Sequence, residues 1–255
     1  MDNVFYFDDY SSLLYGDSLN ILKQFEEEKF DMIFADPPYF LSNGGITCKN
    51  GKMESVNKGK WDKTDNFFSK HEFNKSWIKA CKRVLKCDGT IWISGTFHNI
   101  YSIGVILEEE GFKILNNITW RKTNPPPNLG CRCFTHSTET ILWAKKTKKS
   151  KHTFNYKLMK EMNGGKQMLD VWEGSLTKKS EKLAGKHPTQ KPLYLLEKII
   201  LSSTKERDLI LDPFCGSGTT CVCAKINNRN FIGIDNNLEY LEISKKRLEA
   251  IKDGK

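Results

Sequence analysis

The strongest constraint on the fold is an alternation of short apolar runs with amphipathic stretches at helical spacing. The runs predicted as strands are Asp31–Ala35, Thr90–Ser94, Lys113–Trp120, Thr140–Ala144, Leu209–Asp212 and Phe231–Asp235. The stretches predicted as helices are Phe73–Leu85, Ile100–Glu110, Leu193–Ser203 and Leu238–Ile251. Strands that alternate with helices favour an α/β domain with a doubly wound, mainly parallel sheet. Ligands of such sheets bind at the carboxyl ends of the strands.

The composition limits the partners and the compartment. The chain of 255 residues has a formal net charge of +9, which suits a polyanionic partner and equally suits a merely soluble protein. Its eight cysteines form no C-x-x-C pair and no secretory signal precedes them, so we expect reduced cytoplasmic thiols and no bound metal. No apolar run approaches the roughly 18 residues that span a bilayer, so no membrane partner is expected.

A glycine-rich turn follows a predicted strand near the C-terminus. Leu209–Thr220 reads as strand, tight turn and helix start, with Gly216 and Gly218 where the backbone must approach a ligand closely. The turn lacks the third glycine of a dinucleotide fingerprint and the lysine of a phosphate loop. The next strand ends at Asp235, whose carboxylate can accept hydrogen bonds from both hydroxyls of a ribose. Together these features indicate a nucleoside ligand without a pyrophosphate.

Four motifs resemble those of one enzyme family. Asp36–Tyr39 reads Asp-Pro-Pro-Tyr after a strand, Asp212–Thr220 reads Asp-Pro-Phe-Cys-Gly-Ser-Gly-Thr-Thr, and His187–Pro192 reads His-Pro-Thr-Gln-Lys-Pro. Together with Ile232–Asp235 they resemble motifs of the DNA amino-methyltransferases, and the order along the chain, with the catalytic strand first, the basic segment next and the cofactor strand last, resembles the β group of that family. The resemblance implies the fold of the S-adenosylmethionine-dependent methyltransferases, with an antiparallel hairpin in the sheet and an inserted target-recognition segment.

The same resemblance implies the residues that bind S-adenosylmethionine. Asp17 corresponds to a carboxylate that meets the adenine of the cofactor, and Lys191 supplies a positive charge near its methionine carboxylate. Taken alone, Asp17 is also typical of an ordinary turn, and Pro192 of the first turn of a helix. The predicted set is Asp17, Thr189, Gln190, Lys191, Asp212, Phe214, Gly216, Ser217, Gly218, Thr219, Thr220, Asp235 and Asn236.

The Asp-Pro-Pro-Tyr motif predicts the chemistry. The exocyclic amine of adenine or cytosine is a poor nucleophile because its lone pair is delocalised into the ring. Asp36 and the carbonyl of Pro37 can accept hydrogen bonds from this amine and direct its lone pair at the methyl group. Pro37 and Pro38 fix the backbone, while Tyr39 and Phe40 offer faces to a base swung out of the helix. The tetrapeptide also suits a simple turn. Its leading aspartate favours adenine N6 over cytosine N4.

Two irregular segments are candidates for DNA recognition. Phe40–Ser69 reads as a long loop, and Lys145–Lys186 interleaves lysines with aromatic residues. The predicted DNA contacts are Phe40, Arg132, Lys145, Lys146, Lys148 and Lys149. A lysine run is equally typical of a solvated face, and the proline-rich loop around Arg132 also suits a stiff connector. One domain, 1–255, is expected, with a catalytic half at 1–145, an inserted basic segment at 146–185 and a cofactor-binding half at 186–255.

Further stretches resemble one branch of the family. These stretches are Ala35–Gly45, Trp92–Gly95, Asn117–Trp120, His136–Trp143 and Gly185–Pro192. They resemble the DpnA-like second methyltransferases of restriction-modification systems. This likeness implies methylation of adenine N6 within GATC, in single-stranded as well as duplex DNA. It also implies a cognate restriction endonuclease in the same system, with no direct contact, and it leaves a homodimer open.

Other functions stay open from the sequence. A cytosine C5 methyltransferase is disfavoured, because no cysteine nucleophile follows the catalytic strand. Methylation of cytosine N4, of RNA or of a protein amide uses related motifs on similar folds. A DNA-binding regulator without turnover would keep the fold, although the intact Asp36, Gly216 and Gly218 argue against it.

Overall fold

The structure is a computed structural model that describes residues 3–39, 46–49, 52–55 and 66–251, the two short ranges by their backbone alone. Its strands are β1 (Val4–Asp8), β2 (Ser11–Tyr15), β3 (Phe30–Ala35), β4 (Ile46–Lys49), β5 (Lys52–Ser55), β6 (Leu85–Gly95), β7 (Lys113–Lys122), β8 (Thr138–Lys145), β9 (Val171–Gly174), β10 (Leu209–Asp212) and β11 (Asn230–Asp235). Its helices are α1 (Ser18–Leu22), α2 (Phe67–Val84), α3 (Ile100–Glu109), α4 (Tyr156–Met162), α5 (Leu193–Ser203), α6 (Thr219–Ile226) and α7 (Leu238–Glu249). A short 3-10 helix spans Lys179–Lys182.

Nine of these strands form one sheet in the order β1-β2-β11-β10-β3-β6-β8-β7-β9. The strands from β2 to β6 in this order run parallel. By contrast, β8 is antiparallel to both of its neighbours, and β1 is antiparallel to β2. Among the described residues, strands β4 and β5 pair with each other and form a separate two-stranded sheet. The predicted doubly wound, mainly parallel sheet with an antiparallel hairpin is confirmed.

The carboxyl ends of the central parallel strands meet at one edge of the sheet, which we call the carboxyl edge. In the strand register, Asp212 lies opposite Gly233, and Asp235 lies opposite Tyr15. Strands β10 and β3 are neighbours in the sheet, but the chain leaves them in opposite directions. From β10 it continues to β11 on one side, and from β3 the next strand of the sheet is β6 on the other side. A crevice therefore opens between β10 and β3, where α/β sheets usually bind their ligands.

Helices cover both faces of the sheet. Helices α1, α2 and α3 pack on one face, where Trp77 is completely buried. Helices α5, α6 and α7 pack on the other through residues such as Leu196. The side chains of Asp17, Asn66 and Asn237 accept backbone hydrogen bonds in the first turns of α1, α2 and α7, which explains where these helices begin. Across the described ranges, every helix is too short or too polar to cross a membrane.

The prediction of a loop over Phe40–Ser69 is partly wrong. The segment contributes β4 and β5, and α2 begins within it at Phe67, earlier than predicted. The reason is a cap: the side chain of Asn66 accepts a hydrogen bond from the amide of Phe68 at 2.9 Å. The other residues of the segment that precede Asn66 lie outside the described residues.

The basic segment between β8 and α5 takes part in the main sheet. It contains α4, which packs against α5, the strand β9 and the short 3-10 helix. Strand β9 runs parallel to β7 at the end of the sheet. The last residue of β9, Gly174, therefore lies at the carboxyl edge, and the chain after it returns towards the crevice.

Candidate active site

A cavity of about 260 Å³ lies at the carboxyl edge. Its wall includes Asp36–Tyr39 after β3, the turn after β10, Asp235 after β11 and Asp17 after β2. The segment Thr189–Lys191, just before α5, completes it. All four predicted catalytic residues and every predicted cofactor-binding residue except Gly218 line this one cavity. Tertiary structure thus brings together motifs from both ends of the chain.

Asp36 is held by two neighbours, one on each carboxylate oxygen. The hydroxyl of Tyr39 donates to Oδ1 at 2.6 Å, and Nζ of Lys191 donates to Oδ2 at 2.6 Å. Burial, together with the nearby negative charge of Asp36, raises the pKa of Tyr39 well above its ordinary value. The phenol therefore stays protonated and remains a donor. Only 7% of Tyr39 is exposed, and Nζ of Lys191 lies 5.4 Å from its ring centroid. The residue lines the cavity, and its stacking on a base stays a prediction.

Lys191 belongs to a buried row of charges. Its Nζ lies 3.4 Å from Oε2 of Glu139, whose other oxygen is 2.6 Å from Nζ of Lys122. Burial would raise the pKa of Glu139, but the ammonium groups of Lys191 and Lys122 outweigh it and lower that pKa. The ammonium group of Lys191 is thus engaged by Asp36 and Glu139, and the residue also lines the cavity, so its predicted role near the carboxylate of the cofactor stays a prediction.

The turn after β10 forms a cradle that only glycine permits. The amide of Gly216 donates to Oδ2 of Asp235 at 2.8 Å, and the amide of Asn237 donates to Oδ1 at 2.9 Å. Gly216 has a φ of +50°, and a Cβ there would come within 2.9 Å of Nε2 of His187. Both the left-handed backbone and the close approach exclude larger residues.

Helix α7 supports this cradle from behind. Nη1 of Arg247 donates to the carbonyl of Ser217 at 2.6 Å and to Oγ1 of Thr219 at 3.0 Å. Oγ of Ser244 donates to the carbonyl of Gly216 at 2.8 Å. Sequence reasoning missed both residues. Their only signal is a serine and an arginine one turn apart on a predicted amphipathic helix, which is a common pattern.

Asp212 lies at the base of the cradle and is 3% exposed. Burial raises the pKa of its carboxyl to about 7, although hydrogen bonds from the hydroxyl of Thr220 and the amide of Phe214 oppose the shift. The amide of Phe214 lies 3.0 Å from Oδ1. Asp212 therefore shapes the turn, and its charge changes near neutral pH.

Two other lining residues differ in their remaining hydrogen-bonding capacity. Nε2 of Gln190 donates to the carbonyl of Glu181 at 2.9 Å, while its buried Oε1 has no partner among the described residues. Asp17 caps α1 by accepting from the amide of Asn20 at 2.9 Å, and its remaining lone pairs face no other donor that the structure describes. An unpaired buried acceptor is costly, so Gln190 favours a ligand that donates a hydrogen bond.

The predicted DNA contacts are not brought together. Arg132 is exposed on the loop between β7 and β8, at the carboxyl edge. Lys145, however, pairs with Thr90 in the sheet, at the opposite edge, because β8 is antiparallel to β6. Nζ of the next residue, Lys146, donates to the carbonyl of Leu85 at 2.6 Å. Lys148 and Lys149 follow in the same turn, so this geometry argues against contact between the four lysines and the target base. Phe40 lies outside the described residues.

Comparison with known proteins identifies the family. The profile of the N6/N4 DNA methylase family, described as DNA methylase, matches residues 30–246. The chain belongs to the DNA methylase family. It is 67% identical over 239 residues to the Type II methyltransferase M2.DpnII of Streptococcus pneumoniae, covering 93% of this chain and 89% of that protein. It is 64% identical over 249 residues to M2.LlaDCHI of Lactococcus lactis subsp. cremoris, covering 97% and 93%.

A solved structure supports the same assignment for this DNA methylase. The crystal structure of the M1.HpyAVI–SAM complex superposes with a TM-score of 0.69 at 32% sequence identity. The match covers 92% of this chain and 98% of that one. The family resemblance inferred from the Asp-Pro-Pro-Tyr and glycine-turn motifs is thereby confirmed.

Proposed function

We propose that this DNA methylase transfers a methyl group from S-adenosylmethionine to N6 of adenine within GATC, in duplex and single-stranded DNA. One observation carries the proposal: the wall of a single cavity holds both Asp36–Tyr39 and the glycine cradle with Asp235. Acceptors for an amino group and a cradle for a nucleoside thus face the same space, as in-line methyl transfer requires. The adenine and GATC preferences are those implied by the sequence motifs, and the similarity to the two M2 methyltransferases supports them.

The cradle fits S-adenosylmethionine, which has a nucleoside at one end and an amino acid at the other. Asp235 keeps lone pairs for ribose hydroxyls after its two backbone bonds. Oε1 of Gln190 is an unpaired acceptor for an ammonium group, and Gly216 lets the backbone approach the ligand. The similar M1.HpyAVI chain forms a complex with SAM. The residues that would hold the cofactor are Asp17, Thr189, Gln190, Lys191, Asp212, Phe214, Gly216, Ser217, Gly218, Thr219, Thr220, Asp235 and Asn236.

The chemistry follows from the acceptors at Asp36 and Pro37. When bound, S-adenosylmethionine supplies an electrophilic methyl group on its sulfonium. Asp36 and the Pro37 carbonyl accept hydrogen bonds from the target amine, which localises its lone pair and stabilises the positive charge that develops on nitrogen. The hydroxyl of Tyr39 keeps the Asp36 carboxylate oriented at 2.6 Å. This mechanism needs no metal ion and no covalent intermediate, only a flipped base held in line.

A continuous rim of loops at the carboxyl edge is the DNA surface we propose in place of the lysines at 145–149. The rim consists of residues 96–99, 123–137 and 175–189. The rings of Phe97 and His136 lie 4.9 Å apart, which joins the first loop to the second. The amide of Leu176 donates to Asn124 at 2.8 Å, which joins the second to the third. The third loop continues into the cavity wall at Thr189.

The chemistry of this rim suits DNA. Its cations are Arg132, Lys178, Lys179, Lys182 and Lys186. Its one acidic residue is Glu181, whose carboxylate accepts a hydrogen bond from the amide of Leu193 at 2.8 Å. Phe134 and Phe97 are 96% and 50% exposed. Cations for phosphates beside exposed rings for bases are typical of nucleic-acid surfaces, and of surfaces that accept single strands.

Cellular context completes the proposal. We expect the enzyme to act in the cytoplasm beside a cognate restriction endonuclease that recognises the same sequence, with no direct contact between the two. Sedimentation of the purified protein with and without DNA would show whether it forms a homodimer.

The deciding experiment is transfer of labelled methyl from S-adenosylmethionine to duplex and single-stranded oligonucleotides with or without GATC, followed by nucleoside analysis. N6-methyladenine confined to GATC substrates is the expected product. Label on cytosine N4 would change the target base, and label on RNA or protein alone would change the substrate. If the purified protein bound DNA but did not bind S-adenosylmethionine, it would be a DNA-binding regulator instead.

A further inference from the structure

The catalytic carboxylate and its lysine create a conflict that the proposed reaction must resolve. Both oxygens of Asp36 are engaged, Oδ1 by Tyr39 and Oδ2 by Lys191, each at 2.6 Å. The target amine needs Asp36 as an acceptor, and positive charge grows on that amine during transfer. An ammonium group on the same carboxylate competes for the acceptor and opposes the developing charge.

Glu139 provides a second acceptor for this lysine. Its Oε2 is buried, forms no hydrogen bond among the described residues, and lies 3.4 Å from Nζ of Lys191. Its Oε1 is anchored 2.6 Å from Nζ of Lys122. A small movement of the Lys191 ammonium would therefore convert a loose contact into a close ion pair, without exposing any charge.

We propose that Glu139 is a positioning residue that draws Lys191 away from Asp36 when the target amine enters, so that Asp36 Oδ2 becomes its acceptor. The inference rests on the proposed methyl transfer to an exocyclic amine. The four charges of Lys122, Glu139, Lys191 and Asp36 sum to zero, so the exchange keeps the buried row neutral. Glu139 contacts neither substrate nor cofactor in this scheme and acts through Lys191.

The direct test measures how much the amino group contributes to DNA affinity. Wild type and Glu139→Gln are titrated with GATC duplexes that carry either adenine or purine, which lacks the amino group, at the target position. A non-reactive analogue of S-adenosylmethionine is present. Purine loses the bonds to both Asp36 and the Pro37 carbonyl in wild type, but only the bond to Pro37 in Glu139→Gln. We therefore expect purine to weaken wild-type binding roughly three- to tenfold more than it weakens Glu139→Gln binding, the range for one hydrogen bond. We call the loss of affinity on replacing adenine by purine the purine penalty. An equal purine penalty in both proteins would overturn the proposal.

A double-mutant cycle gives an independent readout. Glu139→Gln leaves a net positive row and Lys191→Met a net negative one, and each is expected to lower kcat at least roughly tenfold. The double variant restores neutrality and removes the competing ammonium, so its kcat should equal or exceed that of Lys191→Met. If the loss of kcat in the double variant equalled the product of the losses in the two single variants, Glu139 would contribute only to folding.

Controls separate this inference from folding and from the proposed function. Glu173→Gln removes an ion-paired glutamate on strand β9 at the end of the sheet, where the side chain is 52% exposed, and should leave the purine penalty intact. If Glu139→Gln does not fold by circular dichroism, Glu139→Asp retains the charge on a shorter side chain and should reduce the purine penalty partially. An unchanged penalty in a folded Glu139→Asp would overturn the proposal. Wild-type methylation of GATC is established first, so its absence would count against the proposed function alone.

Discussion

Nζ of Lys191 lies 2.6 Å from Oδ2 of Asp36, although the two residues are 155 positions apart in the chain. This ion pair joins the His-Pro-Thr-Gln-Lys-Pro segment to the Asp-Pro-Pro-Tyr motif and forms one wall of the cavity. It also means that the catalytic carboxylate is oriented by an ammonium group before any substrate binds, which is the contact that the target amine is proposed to replace.

Replacing the catalytic carboxylate should remove turnover without removing the cofactor. We expect Asp36→Asn to lower kcat by at least roughly a hundredfold, because an amide is a weaker acceptor for a nitrogen that becomes positive. Affinity for S-adenosylmethionine, measured by calorimetry, should stay near wild type. Asp31→Asn, at the amino end of the same strand, is the matched control and should keep normal turnover. Substantial activity in Asp36→Asn would remove this residue from the mechanism.

A methyl group in the glycine cradle should block the cofactor site. In Gly216→Ala the new Cβ would come within 2.9 Å of Nε2 of His187, so S-adenosylmethionine affinity should fall at least roughly tenfold. Gly164→Ala is a matched control, because Gly164 has a similar φ of +62° but no atom within 4 Å of an added Cβ. Similar losses of affinity in both variants would show that backbone strain, not the close approach, accounts for the effect.

The position of the DNA surface can be tested with two pairs of exposed lysines. Lys178→Gln with Lys179→Gln should weaken DNA binding and reduce the dependence of log K on log salt by up to about 2, since each phosphate contact contributes about 0.9. Lys148→Gln with Lys149→Gln, at the opposite edge, removes the same charge and should leave the salt slope unchanged. Fluorescence anisotropy at several salt concentrations makes the comparison. The reverse outcome would return the DNA surface to residues 145–149.

The buried carboxyl of Asp212 should make stability depend on pH. Its pKa of about 7 in the folded state exceeds the ordinary value of 3.8, so between these pH values the folded protein binds a proton that the unfolded chain releases. Stability contributed by this group is therefore complete at low pH and is lost as the pH rises towards 7.

Asp212→Asn is neutral at every pH and escapes this loss. Urea unfolding should show that the free energy of unfolding of Asp212→Asn, relative to wild type, rises by about 2 kcal/mol between pH 5 and pH 8. A constant difference for Asp212→Asn would contradict the raised pKa.

Two limits of the sequence reasoning have a common physical origin. The lysines at 145–149 were predicted to contact DNA because basic residues alternate with aromatic ones there. They lie at the edge opposite the cavity because β8 runs antiparallel to β6, and strand direction is set by pairing partners distant in the chain. Glu139 lies in the family-like stretch His136–Trp143, but the sequence predicted no role for it, because only the tertiary structure places the start of β8 beside Lys191.

By itself, the sequence determined the alternating α/β elements, the glycine turn at Gly216 and the Asp36–Tyr39 motif after its strand. These features are readable because they depend on local backbone conformation, hydrophobic periodicity and the chemistry of adjacent side chains. Only the tertiary structure decided that Lys191 pairs with Asp36, that Arg247 supports the cradle and that the rim loops share one edge. Those relationships depend on the order and direction of strands far apart in the chain, which no local pattern records.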